Sequence, residues 1–227
     1  MECNACGGTR IVLRNGEPVD CQKCGSTEIR DARMRRVAKL SSLNGRSERQ
    51  TFEGFDVEDS AVLALAKRWT EQWVEQGEGW HPWLVLHGSP GGGKSHLASA
   101  AANTLLTAGR FVVYMTAPEM LISLRATFGK GEEESFEKAL SRYLNAEWLI
   151  LDDWGTEKGS EWANEVWFTI FNGRYRNERA TMVTSNLNLS RGGGSGVDER
   201  LIDRLNEGGF SRVFEVKAKS WRAKRNR

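Results

Sequence analysis

The sequence predicts an α/β fold, a mostly parallel sheet covered by helices on both faces, preceded by a small cysteine-rich module. Three observations lead there. From residue 51 onward, short apolar runs alternate with amphipathic helical stretches. One of those runs feeds a glycine-rich turn that opens a helix. All four cysteines fall in the first 24 residues, as two C-x-x-C pairs. At 227 residues and 39% hydrophobic, the chain can bury one good-sized core and a small appendage. No window approaches about 18 uninterrupted apolar residues, and the start Met1-Glu-Cys-Asn-Ala-Cys lacks the charged and apolar regions of a signal peptide. A cytoplasmic protein with no membrane partner is expected.

Residues 1–29 carry Cys3-x-x-Cys6, fourteen further residues, then Cys21-x-x-Cys24, the spacing of a zinc ribbon. Gly7 and Gly25 follow the two pairs and suit tight turns around thiolates. Too few apolar residues are present to fold this piece without a metal, and disulfides are disfavoured in a chain of intracellular character. Structural Zn²⁺ held by Cys3, Cys6, Cys21 and Cys24 is expected, and four thiolates close the coordination against catalysis. Residues 30–50 form a basic linker with Arg30, Arg33, Arg35, Arg36, Lys39, Arg46 and Arg49. Met34, Val37 and Leu40 recur there at helical spacing. A second basic cluster, Lys217, Lys219, Arg222, Lys224, Arg225 and Arg227, ends the chain although the net charge is only +2. Each arm is either a contact for phosphate backbones or an acidic partner, or simply solvated.

The third region, 51–227, holds the chemistry. A helix is expected from about Asp59 to Gln76, with Val62, Leu65, Ala66, Trp69 and Trp73 on one face and Gly77 and Gly79 ending it. Next comes Trp83-Leu-Val-Leu-His as a strand, then Gly88-Ser89-Pro90-Gly91-Gly92-Gly93-Lys94-Ser95-His96 opening a helix that runs to about Ala108. Gly88, Gly93, Lys94 and Ser95 satisfy G-x-x-x-x-G-K-[ST] in the required strand-to-helix context. Polyphosphate needs backbone N–H groups converging on one concavity, which side chains at Gly91–Gly93 would obstruct. The helix N-terminus adds its positive end, Lys94 reaches the outer phosphates, and the Ser95 hydroxyl suits Mg²⁺.

Further along, Phe111–Met115 reads as a strand, Pro118 starts a short helix, and Glu132–Leu144 reads as a helix with an acidic first turn. Trp148–Leu151 is a buried strand running into Asp152 and Asp153. The first carboxylate can hold Mg²⁺ through water and the second can polarise an attacking water. A helix striped by Trp162, Val166, Trp167, Ile170 and Phe171 reaches about Asn177. Ala180–Thr184 is a strand ending at Ser185-Asn186, where Asn186 could orient that water or touch the γ-phosphate. Arg191–Gly196 is a loop, Asp198–Asn206 a helix and Arg212–Val216 the last strand. Most of the nine tryptophans sit on striped helix faces or inside strands and read as core, with Trp154 and Trp221 left open.

The phosphate loop with His96-Leu, the run Leu-Ile-Leu-Asp152-Asp153-Trp-Gly-Thr-Glu-Lys, Val-Thr-Ser-Asn186-Leu and Asp198-Glu-Arg-Leu-Ile-Asp-Arg204-Leu occur in the order of the AAA+ ATPases. Together they resemble the DnaC/DnaI helicase-loader type, which shares its core with IstB proteins. Thr51-Phe-Glu-Gly-Phe resembles the usual start of that ATPase domain. The resemblance implies a P-loop NTPase AAA+ core that binds and hydrolyses ATP, with Gly88–His96 cradling the nucleotide. It makes Asp152 the Walker B metal-site acid and Asn186 the sensor 1 residue. Arg204 becomes the arginine finger, with Arg200 its rival, and Arg222 the sensor 2 cation beside the nucleotide. As partners it implies a replicative DNA helicase, single-stranded DNA and further copies of the same chain. The alternatives are an IstB-like ATPase helper of a DNA transposase, or a nucleotide-switched binding module with negligible turnover.

Three departures stand out. Asp153 occupies the position where many relatives carry Glu, so slow hydrolysis is expected and Glu157 is a second candidate for that task. Only eleven residues follow Val216, too few for a full helical lid. The loop Gly192-Gly-Gly-Ser-Gly196 is locally elaborated.

Overall fold

Five parallel strands form the central sheet in a computed structural model that describes residues 11–14, 17–20, 42–57, 60–76, 80–128, 135–155, 160–191 and 197–217. In the amino-terminal unit, Met1–Lys39, β1 (Ile11–Arg14) pairs antiparallel with β2 (Glu17–Asp20), Arg14 facing Glu17. Asn15-Gly16 separates the two strands. That dipeptide is the strongest short hairpin signal, and the sequence reading passed over it. All four cysteines and the 34–40 periodicity lie outside the described residues.

The second unit, Leu40–Arg227, holds everything else. It opens with a 3₁₀ turn at Ser47–Arg49, followed by α1 (Ala61–Glu75), β3 (Trp83–His87), α2 (Lys94–Thr107), β4 (Val112–Thr116), α3 (Ala117–Arg125), α4 (Phe136–Asn145), β5 (Trp148–Trp154), α5 (Glu161–Arg176), β6 (Ala180–Ser185), α6 (Glu199–Leu205) and β7 (Ser211–Glu215). The strands lie in the order β4-β5-β6-β3-β7, every pairing parallel. Parallel pairing brings all carboxyl ends to one edge, where ligands of open α/β sheets bind.

Strand pleating sorts the core. Leu84 and Leu86 of β3, Val112 and Tyr114 of β4, Trp148 and Ile150 of β5, and Ala180 and Met182 of β6 share one face. There they meet Ala66 and Trp73 of α1 and the alanine-rich side of α2. On the opposite face, Trp83 packs on Phe171 and Tyr175 of α5, and Trp154 sets its edge on Phe171 with ring centroids 5.0 Å apart. Trp154 is therefore core, and Trp221 lies outside the described residues.

Several boundaries move. Gln76, not a glycine, ends α1, in a left-handed conformation with φ 53°. The helix expected from Glu132 starts at Phe136, because the Ser135 side chain accepts from Lys138 N and caps it. β5 runs on through both aspartates to Trp154. Residues 42–50, read as the end of the linker, belong to the larger unit. Ser42 N donates to Tyr114 O at 2.8 Å, and Asn103 Nδ2 donates to the carbonyls of Ser47 and Gln50, each at 2.8 Å.

Candidate nucleotide site

β3 delivers the glycine-rich loop to the carboxyl edge of the sheet. Gly88 takes φ 128°, and a Cβ there would lie 2.7 Å from Val216 O, so only glycine passes beneath the β7 strand end. Gly93 takes φ 87°, and a Cβ there would lie 2.6 Å from the Phe55 ring. Room for phosphate is one reason for glycine at Gly91–Gly93. For Gly93, the backbone conformation and the packed Phe55 are further reasons.

Gly93 is also the N-cap of α2 and supplies no side-chain hydrogen bond, whereas α1, α3, α4, α5 and α6 are capped by Ser60, Thr116, Ser135, Ser160 and Asp198. The first N–H groups of α2 are left for an anion, in step with the helix dipole.

Lys94, 6% exposed, donates to Gly88 O and Ser89 O, each at 2.8 Å, and to Asn186 Oδ1 at 2.9 Å. Burial draws its pKa below the ordinary lysine value, against the pull of Asp153 and Asp152. Asn186 turns its other end to Asp153, Nδ2 donating to Oδ1 at 2.7 Å. One amide thus bridges the loop lysine and the second carboxylate.

Asp152 is 4% exposed. The Tyr114 hydroxyl donates to its Oδ2 at 2.9 Å and the Thr184 hydroxyl to its Oδ1. At Asp153 the strand register shifts and φ becomes 57°, a conformation that costs a residue with a Cβ some strain, while Asp153 N donates to Thr184 Oγ1 at 2.9 Å. The irregularity turns the second carboxylate out of the strand alternation, so both acids meet the same cleft.

That cleft has a volume of about 1290 Å³, and its lining includes Pro90–His96, Asp152, Asp153 and Asn186. Ser95 is exposed at its floor. His96 pairs through Nε2 with Thr51 O at 2.9 Å and meets Phe55 edge-on, tying the phosphate loop to the segment before α1. The far wall is made by Asn44, Arg46, Ser47, Arg49 and Gln50, none of which the sequence reading placed at the site. Tyr114, Thr184 and Phe55 were missed too. The period-two pattern could have put Tyr114 and Thr184 on the Asp152 face, but the strand order was needed to bring them together.

Arg204 lies away from this cluster, on α6, its guanidinium over the rings of Phe168 and Tyr175 at 5.2 and 5.6 Å. Asp203 pairs with Arg191 and Glu207 takes the Tyr175 hydroxyl, so neither acid holds Arg204. Arg200 is chelated by Asp198 at 3.1 and 2.7 Å. Glu157 and Arg222 lie outside the described residues, as do the cysteines. Among the described residues no group of three or more His, Cys, Asp or Glu could hold a metal ion, and no helix is long and apolar enough to cross a membrane.

The parallel sheet and the cluster at its carboxyl edge define a P-loop NTPase of the AAA+ type. Its cleft volume, uncapped α2, buried lysine and adjacent carboxylates suit a nucleoside triphosphate with a divalent cation. More narrowly, the chain belongs to the IstB-like ATP-binding protein family, whose pattern matches residues 25–227. It is 29% identical over 182 residues to the replicative helicase loader DnaC of Escherichia coli K12, covering 80% of this chain and 73% of that one. The DnaC of Buchnera aphidicola from Schizaphis graminum is 28% identical over 184 residues with the same coverage. Among solved structures, AMPPCP-bound DnaA from Aquifex aeolicus superposes with a TM-score of 0.65 and 26% identity, over 79% of this chain and 52% of that one. The chain thus spans about half the length of DnaA. A crystal structure of the DnaC helicase loader gives 0.63 at 23% identity, over 77% of this chain and all of that one, a likeness of fold.

Proposed function

We propose that this chain is an ATP-hydrolysing loader of a replicative DNA helicase. The observation that carries the reading is the Lys94–Asn186–Asp153 bridge beside Asp152 at the phosphate loop, in a chain similar over four-fifths of its length to DnaC. In this reading the loop Gly88–His96 holds the triphosphate of ATP, and Lys94 exchanges its carbonyl partners for phosphate oxygens. Ser95 and Asp152 hold Mg²⁺, which when bound neutralises phosphate charge. Asp153 polarises the attacking water and Asn186 orients it, with Glu157 as a second carboxylate for that task. Arg204 acts on the ATP of a neighbouring copy, so turnover depends on assembly. In this structure its guanidinium stacks on Phe168 and Tyr175, contacts it would exchange for the neighbour's phosphates. Arg222 supplies a further cation to the nucleotide. Cys3, Cys6, Cys21 and Cys24 hold Zn²⁺ in a module that grips the helicase; soft thiolates at this spacing suit that ion, and the hairpin between the two pairs is compatible with a ribbon. Single-stranded DNA is bound by the basic arms, with an affinity that falls steeply with salt.

The test is native mass spectrometry of the purified chain mixed with the replicative helicase of its source cell, with and without ATP. A co-complex that needs residues 1–50 is expected, and absence of a complex in both states would overturn the reading. In parallel, ATP turnover should fall in Lys94→Ala and Arg204→Ala. A near-zero rate shared by all three proteins points instead to a nucleotide-switched binding module. A second reading, an ATPase helper of a transposase, is favoured by the IstB-like pattern over residues 25–227. Preference for duplex over single-stranded DNA would select it.

A further inference from the structure

Asp152 ends a run of hydroxyls that crosses the sheet. The Ser99 hydroxyl donates to Tyr114 Oη at 3.2 Å, and Tyr114 Oη donates to Asp152 Oδ2 at 2.9 Å. From the other side Thr184 donates to Oδ1. These residues come from four elements, α2, β4, β5 and β6. Tyr114, Asp152 and Thr184 lie on the pleat face that packs on α2, near the carboxyl ends of neighbouring parallel strands. Ser99 stands one turn after Ser95 on that helix, on the same side of it.

Tyr114 is 4% exposed and packs in the core, yet it also lines the cleft, where its hydroxyl meets Asp152. A phenylalanine would fill the same core volume. The oxygen is what distinguishes this side chain, and it meets a buried carboxylate beside the phosphate loop. A carboxylate rotates easily about Cβ–Cγ, and groups that hydrogen-bond to a metal-binding carboxylate set its orientation and basicity. Here each carboxylate oxygen accepts one hydroxyl and keeps a lone pair for another partner.

We propose that Tyr114, braced by Ser99, is a positioning residue for the Asp152 carboxylate, fixing the orientation in which it meets the divalent cation of the nucleotide. The inference rests on the nucleotide site proposed above and adds a residue that the phosphate-loop and acidic motifs do not contain. It also ties the carboxylate to α2, the helix that carries Lys94 and Ser95, so loop and acid keep register with each other.

The experiment is binding of a fluorescent ATP analogue by the full chain, titrated with Mg²⁺, for wild type and Tyr114→Phe, with affinity in EDTA measured alongside. In Tyr114→Phe the Mg²⁺ concentration at half-effect should rise on the order of 10-fold, the loss typical when such a supporting partner is removed. The affinity in EDTA should not change, because Lys94 and the loop are untouched. A merely structural role would weaken both together or neither. If Tyr114→Phe does not fold, Ser99→Ala removes the brace and should shift the Mg²⁺ requirement the same way by a smaller factor. A Mg²⁺ requirement equal to wild type in whichever variant folds overturns the role of Tyr114 and leaves the nucleotide site standing. Wild-type protein that binds no nucleotide at any Mg²⁺ concentration removes both.

Discussion

His87 shows how a single residue can set the pH response of the fold. It ends β3, 1% exposed, with Nε2 3.3 Å from Ser190 Oγ and no partner for Nδ1 among the described residues. Burial lowers its pKa; Lys94 and Lys217 push the same way, and Glu215 opposes them. His96 is lowered as well, by burial first and then by Arg46, against the Thr51 carbonyl. With folded-state pKa values depressed, the unfolded chain takes up protons first as pH falls below about 6.5, and stability is lost from there down through the folded values. The urea midpoint should therefore fall between pH 7 and 5. His87→Gln should flatten that dependence, and a slope unchanged by the substitution would mean that other groups set it. At this scale the phosphate loop was readable because its spacing is the chemistry. Tyr114, Thr184 and Phe55 were not, since each acts through a partner distant in sequence.

Element boundaries were readable where a cap or a glycine wrote them. Thr116 and Glu119 form a capping box at the start of α3, close to where Pro118 put it, and Gly109 at φ 71° follows the Ala108 C-cap of α2. β5 was cut short at Leu151, because two carboxylates are poor strand residues by any local rule. The hydroxyls of Tyr114 and Thr184 and the amide of Asn186 hold them there, and none of these is a local signal. A second non-local feature sits on α5. Arg174 continues the stripe of Ile170 and Phe171 into the core, fully buried and without a carboxylate partner among the described residues. It donates to the carbonyls of Tyr143, Ala146 and Ala180 and to Thr181 Oγ1, locking the carboxyl end of α4 and the start of β6 around one guanidinium on α5. Arg174→Met fills similar space but strands those acceptors, and should lower unfolding free energy by about 3 kcal/mol in urea denaturation. A cost below about 1 kcal/mol would mean that water replaces the donor.

For the whole molecule, alternation of strands and helices predicted the layered parallel sheet, and motif order placed its carboxyl edge. Strand order could not be read from alternation, which is compatible with several orders. Nor could the path of residues 42–50, whose composition reads as a solvated connector. What seats them is Asn103, one polar residue on the outer side of α2, together with the Ser42 amide on β4. A chain shortened to 40–227 should keep wild-type nucleotide affinity, whereas one shortened to 51–227 lacks the far wall of the cleft and should bind several-fold more weakly in an equilibrium titration. Equal affinity for both would show that the wall leaves the nucleotide untouched.

Residues 42–50 also carry the only covalent route between the amino-terminal hairpin unit and the ATPase core. The peptide that leaves that unit borders the cleft through Asn44, Arg46, Ser47, Arg49 and Gln50. The Ser42 amide binds that peptide directly to β4, and Asn103 binds it to α2, so the segment is anchored at once to the sheet and to the helix that carries the phosphate loop. The same short segment is thus both the outlet of the amino-terminal unit and part of the rim of the cleft.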